Sequence, residues 1–237
     1  MQVQAGHASG EGRVNVRPPN REGNVARMME DPTDPRSLIP DRPSLRSLTE
    51  AAGGCRGCGL YRNATQTVFG EGSSTAEVMF IGEQPGDQED RRGHPFVGPA
   101  GRELDRALEE AGIDRPQVYI TNVVKHFKFE RRGKHRIHKK PNAEEIGACR
   151  PWLEAEVEVL KPKVIVALGA TAAQALLGRQ FRITKQRGEF FPSDLGPEIT
   201  ATIHPSAILR APEDVDREEQ RRLFVRDLAL VARRLAR

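Results

Sequence analysis

The chain has no run of apolar residues long enough to span a bilayer, and its N-terminus lacks the charged-then-apolar layout of a secretory signal. A soluble, cytoplasmic protein with no membrane partner is expected. Cysteine is scarce, with three in 237 residues. That odd number argues against a disulfide framework and for a reducing compartment. Charge of either sign is in small excess, 37 Lys plus Arg against 33 Asp plus Glu for a net +4. No internal repeat is present, which excludes solenoid architectures. The length suits one compact domain with an extension and permits a real hydrophobic core.

What charge there is lies clustered. Lys125, Lys128, Arg131, Arg132, Lys134, Arg136, Lys139 and Lys140 fall in one short segment opposed only by Glu130. Such a block reads either as a solvated face or as an electrostatic footprint for phosphates. Its centre, "FERRGKHRIHKKP" from Phe129 to Pro141, holds two of the six histidines, His135 and His138, and almost nothing apolar. It reads as a loop that repels itself.

Residues 1–42 are rich in Pro, Gly, Arg, Asp and Asn with no sustained period. This composition buries too little surface to offset the entropy of ordering, so a disordered tail is expected over 1–42 and a folded domain over 43–237. Within the latter, "AEVMFIGE" (76–83), "QVYITNVV" (117–124), "KVIVALGA" (163–170) and "EITATIHP" (198–205) are short, β-branched and bounded by Gly or Pro, as buried parallel strands are. Helical spacing of apolar positions marks 98–113, 142–162, 170–178 and 214–235. This alternation predicts a three-layer α/β/α sandwich around a mostly parallel four-stranded sheet, with ligands beyond the carboxyl ends of the strands.

Cys55 and Cys58 form a CxxC pair, and Cys149 falls on a predicted helix far downstream. A lone CxxC could be a redox pair, a metal knuckle or chance. The third cysteine favours metal, because thiolates gather where a soft cation compensates their charge. His126 is the best available fourth ligand. Zinc and iron both accept this set.

The blocks "GEQPGDQED", "PFVGPAGRELD", "TNVVKHFKF", "KHRIHKKP", "ACRPWL" and "TIHPSAILR" together resemble the uracil-DNA glycosylase superfamily, and within it the X-type branch (UdgX), which is similar to the iron-sulfur family 4 enzymes but couples covalently to DNA. The resemblance runs from about Leu45 to the C-terminus. It implies a four-iron four-sulfur (4Fe-4S) cluster held by Cys55, Cys58, His126 and Cys149, with His126 standing where family 4 has its third cysteine. It also implies that Phe96 stacks on a flipped base and that Glu89 stands where a thymine methyl would go. One position departs from the pattern: His135 stands where a basic residue is usual, which is expected to weaken a phosphate contact.

The chemistry follows from the residue types. A base inside a duplex is unreachable, so uracil-containing DNA must be single-stranded or its nucleotide flipped out. The Asn122 carboxamide can accept from the uracil imide N–H while donating to a neighbouring carbonyl, a pattern that cytosine reverses. His204 can donate a hydrogen bond to the carbonyl where negative charge develops. Gln84, assigned to substrate binding, occupies the position at which several superfamily members carry a water-activating Asp, and an amide cannot act as a base. Glu83 remains able to stabilise a cationic sugar. His138 is the expected nucleophile, kept neutral by the surrounding Lys and Arg. Lys134, Arg136, Lys139, Lys140 and Ser206 are expected to contact phosphates. The leading expectation is a monomeric enzyme that excises uracil and stays joined to the abasic sugar through His138. The alternatives are a conventional hydrolytic glycosylase with turnover and a non-catalytic metal-containing DNA-binding protein.

Overall fold

A computed structural model describes residues 33–236. Its strands are β1 (Glu71–Gly72), β2 (Val78–Gly82), β3 (Val118–Asn122), β4 (Phe129–Arg132), β5 (His135–His138), β6 (Val164–Leu168), β7 (Phe190–Phe191) and β8 (Glu198–Thr202). Its α-helices are α1 (Leu45–Ala52), α2 (Asp87–Arg92), α3 (Pro99–Ala111), α4 (Ala143–Leu160), α5 (Ala170–Leu177), α6 (Ile183–Gln186), α7 (Pro205–Leu209) and α8 (Asp214–Leu235).

The four expected strands form the parallel centre of one sheet, in the order β3, β2, β6, β8. The sheet has six strands rather than four, because β1 and β7 add antiparallel edges to β3 and β8. Each edge strand is two residues long, too short to show a period in sequence. Alternate residues of the central strands enter opposite layers. Val78, Phe80, Ile120 and Val166 pack with Leu104 and Leu108 of α3 and Phe224 and Leu228 of α8. Met79, Ile81 and Ile165 pack with Leu48 of α1, Trp152 of α4 and Ala172 of α5. Both sheet faces are thereby covered, which gives the three layers.

Two expectations change. The segment just before α1, placed in the tail by its composition, contains a short 3-10 helix at Pro35–Leu38, capped by the Asp34 carboxylate. Pro35 is buried, and Leu38 and Ile39 pack on the core. Two adjacent apolar residues found partners that no local period reveals. The rest of the expected tail, residues 1–32, lies outside the described residues.

The basic segment is not an irregular loop but the antiparallel hairpin β4–β5, pairing Phe129 with His138 and Arg132 with His135. Gly133 makes the turn with φ +58°, a conformation that suits glycine. Self-repulsion is relieved by carboxylates. Glu130 pairs with Arg132 and Lys139, Glu145 holds Lys128, and Asp87 and Asp90 hold Arg136.

Candidate active site

The carboxyl ends of β2, β3 and β8 open into a cavity of about 810 Å³, closed on one side by the hairpin. Glu83, Gln84, Glu89, Phe96, Asn122, His138, His204 and Ser206, assigned from sequence, all line it. Residues from four segments meet there because successive parallel strands deliver their ends to one edge.

Asn122 ends β3 and is buried. Its carboxamide needs the glycine opposite. A Cβ on Gly82 would lie 2.3 Å from Asn122 Oδ1 and 2.9 Å from the Phe96 ring. Phe96 itself adopts φ +55°, a strained value for a non-glycine residue. Its carbonyl packs into the place of the missing Gly101 side chain, 1.6 Å from where a Cβ would stand. Glu89 is fixed by the Gly98 N–H, which donates to Oε1 at 3.0 Å.

His138 reaches the cavity from the end of β5. Its Nε2 lies 2.9 Å from Gln84 Nε2 and 3.5 Å from Glu83 Oε1. The Gln84 amide has one possible orientation. Lys128 N–H donates to its Oε1 at 3.2 Å, while the carbonyls of Lys128 and Lys139 accept from its Nε2 at 3.1 Å each. That nitrogen has only protons to present and both already serve carbonyls, so an Nε2–H on His138 would find no acceptor there; the neutral ring faces it with the Nε2 lone pair and carries its proton on Nδ1. The His138 pKa is lowered, first by burial and then by Arg210, with Glu83 opposing. The direction matches the expectation, but the cause differs: the named cation lies on the α7 side of the cavity, not in the hairpin.

His204 caps α7. Ser206 N–H donates to His204 Nδ1 at 3.1 Å, so that nitrogen is an acceptor and the Ser206 hydroxyl, 2.8 Å away, donates to it as well. The neutral ring therefore holds its proton on Nε2. Burial pushes the His204 pKa down to about 4, helped by Arg210 and His138, so the ring is uncharged at neutral pH. The Phe96 and His204 rings lie 5.7 Å apart at a 33° tilt.

Two residues expected at phosphates have partners within the protein. Arg136 has a side chain only 7% exposed; its guanidinium pairs with Asp87 and, at 2.6 Å, with fully buried Asp90. It also lies 5.3 and 5.0 Å from the Phe127 and Phe129 ring centres. It docks the hairpin on α2 and does not face solvent. Ser206 has its single hydroxyl proton on His204, and its oxygen accepts from Arg210 at 2.9 Å, so no proton is left for a phosphate. Lys134, Lys139 and Lys140 are exposed, though Lys139 also pairs with Glu130.

A second, smaller cavity is lined by Cys55, Cys58, His126 and Cys149 together. Among the described residues no group of three metal-binding side chains is placed to hold a single ion, but these four line one common space. Burial raises the pKa of Cys58, and pushes that of Cys149 up to about 12, so thiolates here need a compensating cation. Two donors already address the sulfurs: Trp152 Nε1 to Cys55 Sγ at 3.2 Å and Lys125 N–H to Cys149 Sγ at 3.3 Å. The Thr67 hydroxyl donates to the Ala52 carbonyl, so at 2.9 Å it accepts from His126 Nε2–H and leaves Nδ1 with the free lone pair. Burial pushes the His126 pKa down to about 4, so the ring is neutral, as a ligand must be. The donor set fits the group that the sequence suggests.

A model of the Uracil DNA glycosylase superfamily matches residues 69–229, more than half of the chain. The chain belongs to the uracil-DNA glycosylase superfamily. It is 41% identical to the Type-4 uracil-DNA glycosylase of Thermotoga maritima over 73% of this chain and 85% of that one. It is 36% identical to the protein of the same name from Sulfurisphaera tokodaii, over 81% of this chain and 87% of that one. A Type-4 uracil-DNA glycosylase of Pyrobaculum aerophilum is 38% identical over 71% and 86% of the two chains.

For a member of this superfamily, the sequence reading overlooked three residues that shape the cavity. Asp87 and Asp90 anchor Arg136; their spacing on one face of a short helix was the available signal. Arg210, four residues after Ser206, lines the cavity and holds that hydroxyl. No helix among the described residues is long and apolar enough to cross a membrane.

Proposed function

We propose that this superfamily member excises uracil from DNA and is left covalently joined to the abasic sugar through His138. The observation that carries this reading is the Gln84–His138 pair: a neutral imidazole nitrogen at the cavity wall, beside an amide that stands where a water-activating carboxylate would otherwise be.

The steps follow from the placements. Lys134 and Lys140 on the exposed side of the hairpin neutralise phosphates, and a uracil nucleotide enters the cavity against Phe96. Asn122 selects the uracil edge, and Glu89 fills the space a 5-methyl group would need. The bond from C1′ to the base breaks with its electron pair going to uracil. His204 Nε2–H donates to the carbonyl on which that charge gathers, while the Glu83 carboxylate faces the cationic sugar. His138 Nε2 then bonds to C1′; the alkylated ring loses its Nδ1 proton to solvent, and the uracil anion gains one. A neutral alkylated imidazole is a poor leaving group, so the adduct persists. A four-iron four-sulfur cluster held by Cys55, Cys58, His126 and Cys149 would cross-link the segment after α1 to α4 and to the end of β3.

Similarity to proteins named Type-4 uracil-DNA glycosylase favours a second reading, uracil excision without capture. A denaturing gel with uracil-containing single-stranded DNA separates them. A shifted band that survives heat and detergent, and vanishes in His138→Ser, supports capture; released uracil with no shifted band supports the second reading.

A further inference from the structure

Lys125 and Glu156 form an ion pair, 2.5 Å between Nζ and Oε2, with side chains 1% and 0% exposed. The chemistry above uses neither. Stability alone does not account for such a pair, since desolvating two charges largely cancels their attraction and an apolar pair of similar volume is often as stable.

Its connections are more telling. The three ammonium protons go to Glu156, to Thr121 Oγ1 at 2.6 Å and to the Asn122 carbonyl at 2.8 Å. Glu156 also accepts from the Tyr119 and Thr121 hydroxyls, each at 2.9 Å. The Lys125 backbone N–H donates to Cys149 Sγ at 3.3 Å. Cys149 and Glu156 are two turns apart on α4 and share a face. One helix thus grips Lys125 at both backbone and ammonium, and the ammonium grips the residue whose carboxamide faces the base. Only four positions separate Asn122 in the cavity from His126 in the thiol pocket. Between them, Val123 and Val124 N–H groups are tied to the Gly82 and Glu83 carbonyls.

We propose that Lys125 is a positioning residue that relays the placement of α4 and its Cys149 to Asn122, and so sets how productively the cavity holds uracil. This rests on the reading of Asn122 as the base-recognising group. A salt-linked carbonyl is a stiffer restraint than an apolar contact, because hydrogen bonds to a charged donor are directional and roughly twice as strong as neutral ones.

The test compares the full chain with Lys125→Met/Glu156→Leu, which removes both charges at similar volume, and with Thr121→Val, which removes one acceptor of the ammonium. Single-turnover uracil release, affinity for uracil-free DNA of the same length, and iron content are measured for each. The expected result is release slowed tenfold or more in the double variant and threefold or more in Thr121→Val, with DNA affinity within twofold and iron content unchanged. Release at the parental rate overturns the proposal, as does an equal loss of DNA affinity and release, which marks a merely structural role. Should the double variant not accumulate, Thr121→Val decides by the same criteria. Asn122→Ala separates the two layers. If it releases uracil at the parental rate, the reading of the cavity fails; if it abolishes release while the Lys125 variants do not slow it, only the relay fails.

Discussion

Gln84 Nε2 stands 2.9 Å from His138 Nε2, and the amide is held there by one backbone N–H and two backbone carbonyls of the segments flanking the hairpin. Protonating His138 at that nitrogen would set two donors against each other. The glutamine therefore selects the tautomer of the neutral ring.

Gln84→Leu keeps much of the volume and removes every one of these bonds. Capture of uracil-DNA should slow roughly 10- to 100-fold, the scale expected when a reacting atom is displaced by about 1 Å. Affinity for uracil-free DNA should not change. Single-turnover gels and a binding titration check both halves.

The pH profile of capture should carry the mark of Arg210. In the proposed capture His138 reacts when neutral, and its pKa lies below the ordinary histidine value because of burial and Arg210. A lowered pKa keeps the ring neutral to more acidic pH, so the capture rate should stay level below pH 6.5 before falling. Arg210→Ala removes a lowering influence and should move that acid limb toward higher pH, as read from single-turnover rates across the acidic range.

Arg136→Ala should undock the hairpin. Asp90, fully buried, would lose its cation while keeping its bonds from the Thr65 N–H and hydroxyl. Breaking a buried pair from one side costs about 3 kcal/mol or more. A lower thermal midpoint and loss of capture are expected together, whereas Lys134→Ala should weaken DNA binding, more so at low salt, with no thermal effect.

The contrast between these two residues shows what the sequence could convey. The four parallel strands and α8 were legible because burial of both sheet faces demands short apolar runs, and because the second half of α8 has helical spacing of Phe224, Leu228 and Val231. Glu83, Gln84, Asn122 and His204 sit at or just past strand ends, where this topology gathers ligands, whereas Glu89 and Phe96 were suggested by the family resemblance alone. The basic segment was misread because composition gives the sign of a charge and not its partner. Arg136 answers acids more than 40 positions away, Lys125 answers Glu156, and only the fold brings them together.

Thr67→Val should loosen the thiol pocket's hold on the proposed cluster. The Thr67 oxygen accepts the His126 Nε2–H and so leaves Nδ1 available. Loss of such an orienting partner typically weakens metal affinity about 10- to 100-fold. The check is iron retained after exposure to a chelator, together with visible absorbance.

Arg136 and His138 are two residues apart on β5 and so point to the same side, while His135 and Ile137 point to the other. Asp87 and Asp90 therefore act as a key that admits only one reading frame of the hairpin. Inserting a single residue at the Gly133 turn would slide that frame by one and offer Ile137 to the cavity instead of His138. A chain of nearly unchanged composition and charge would then have an aliphatic group where the proposed nucleophile stands.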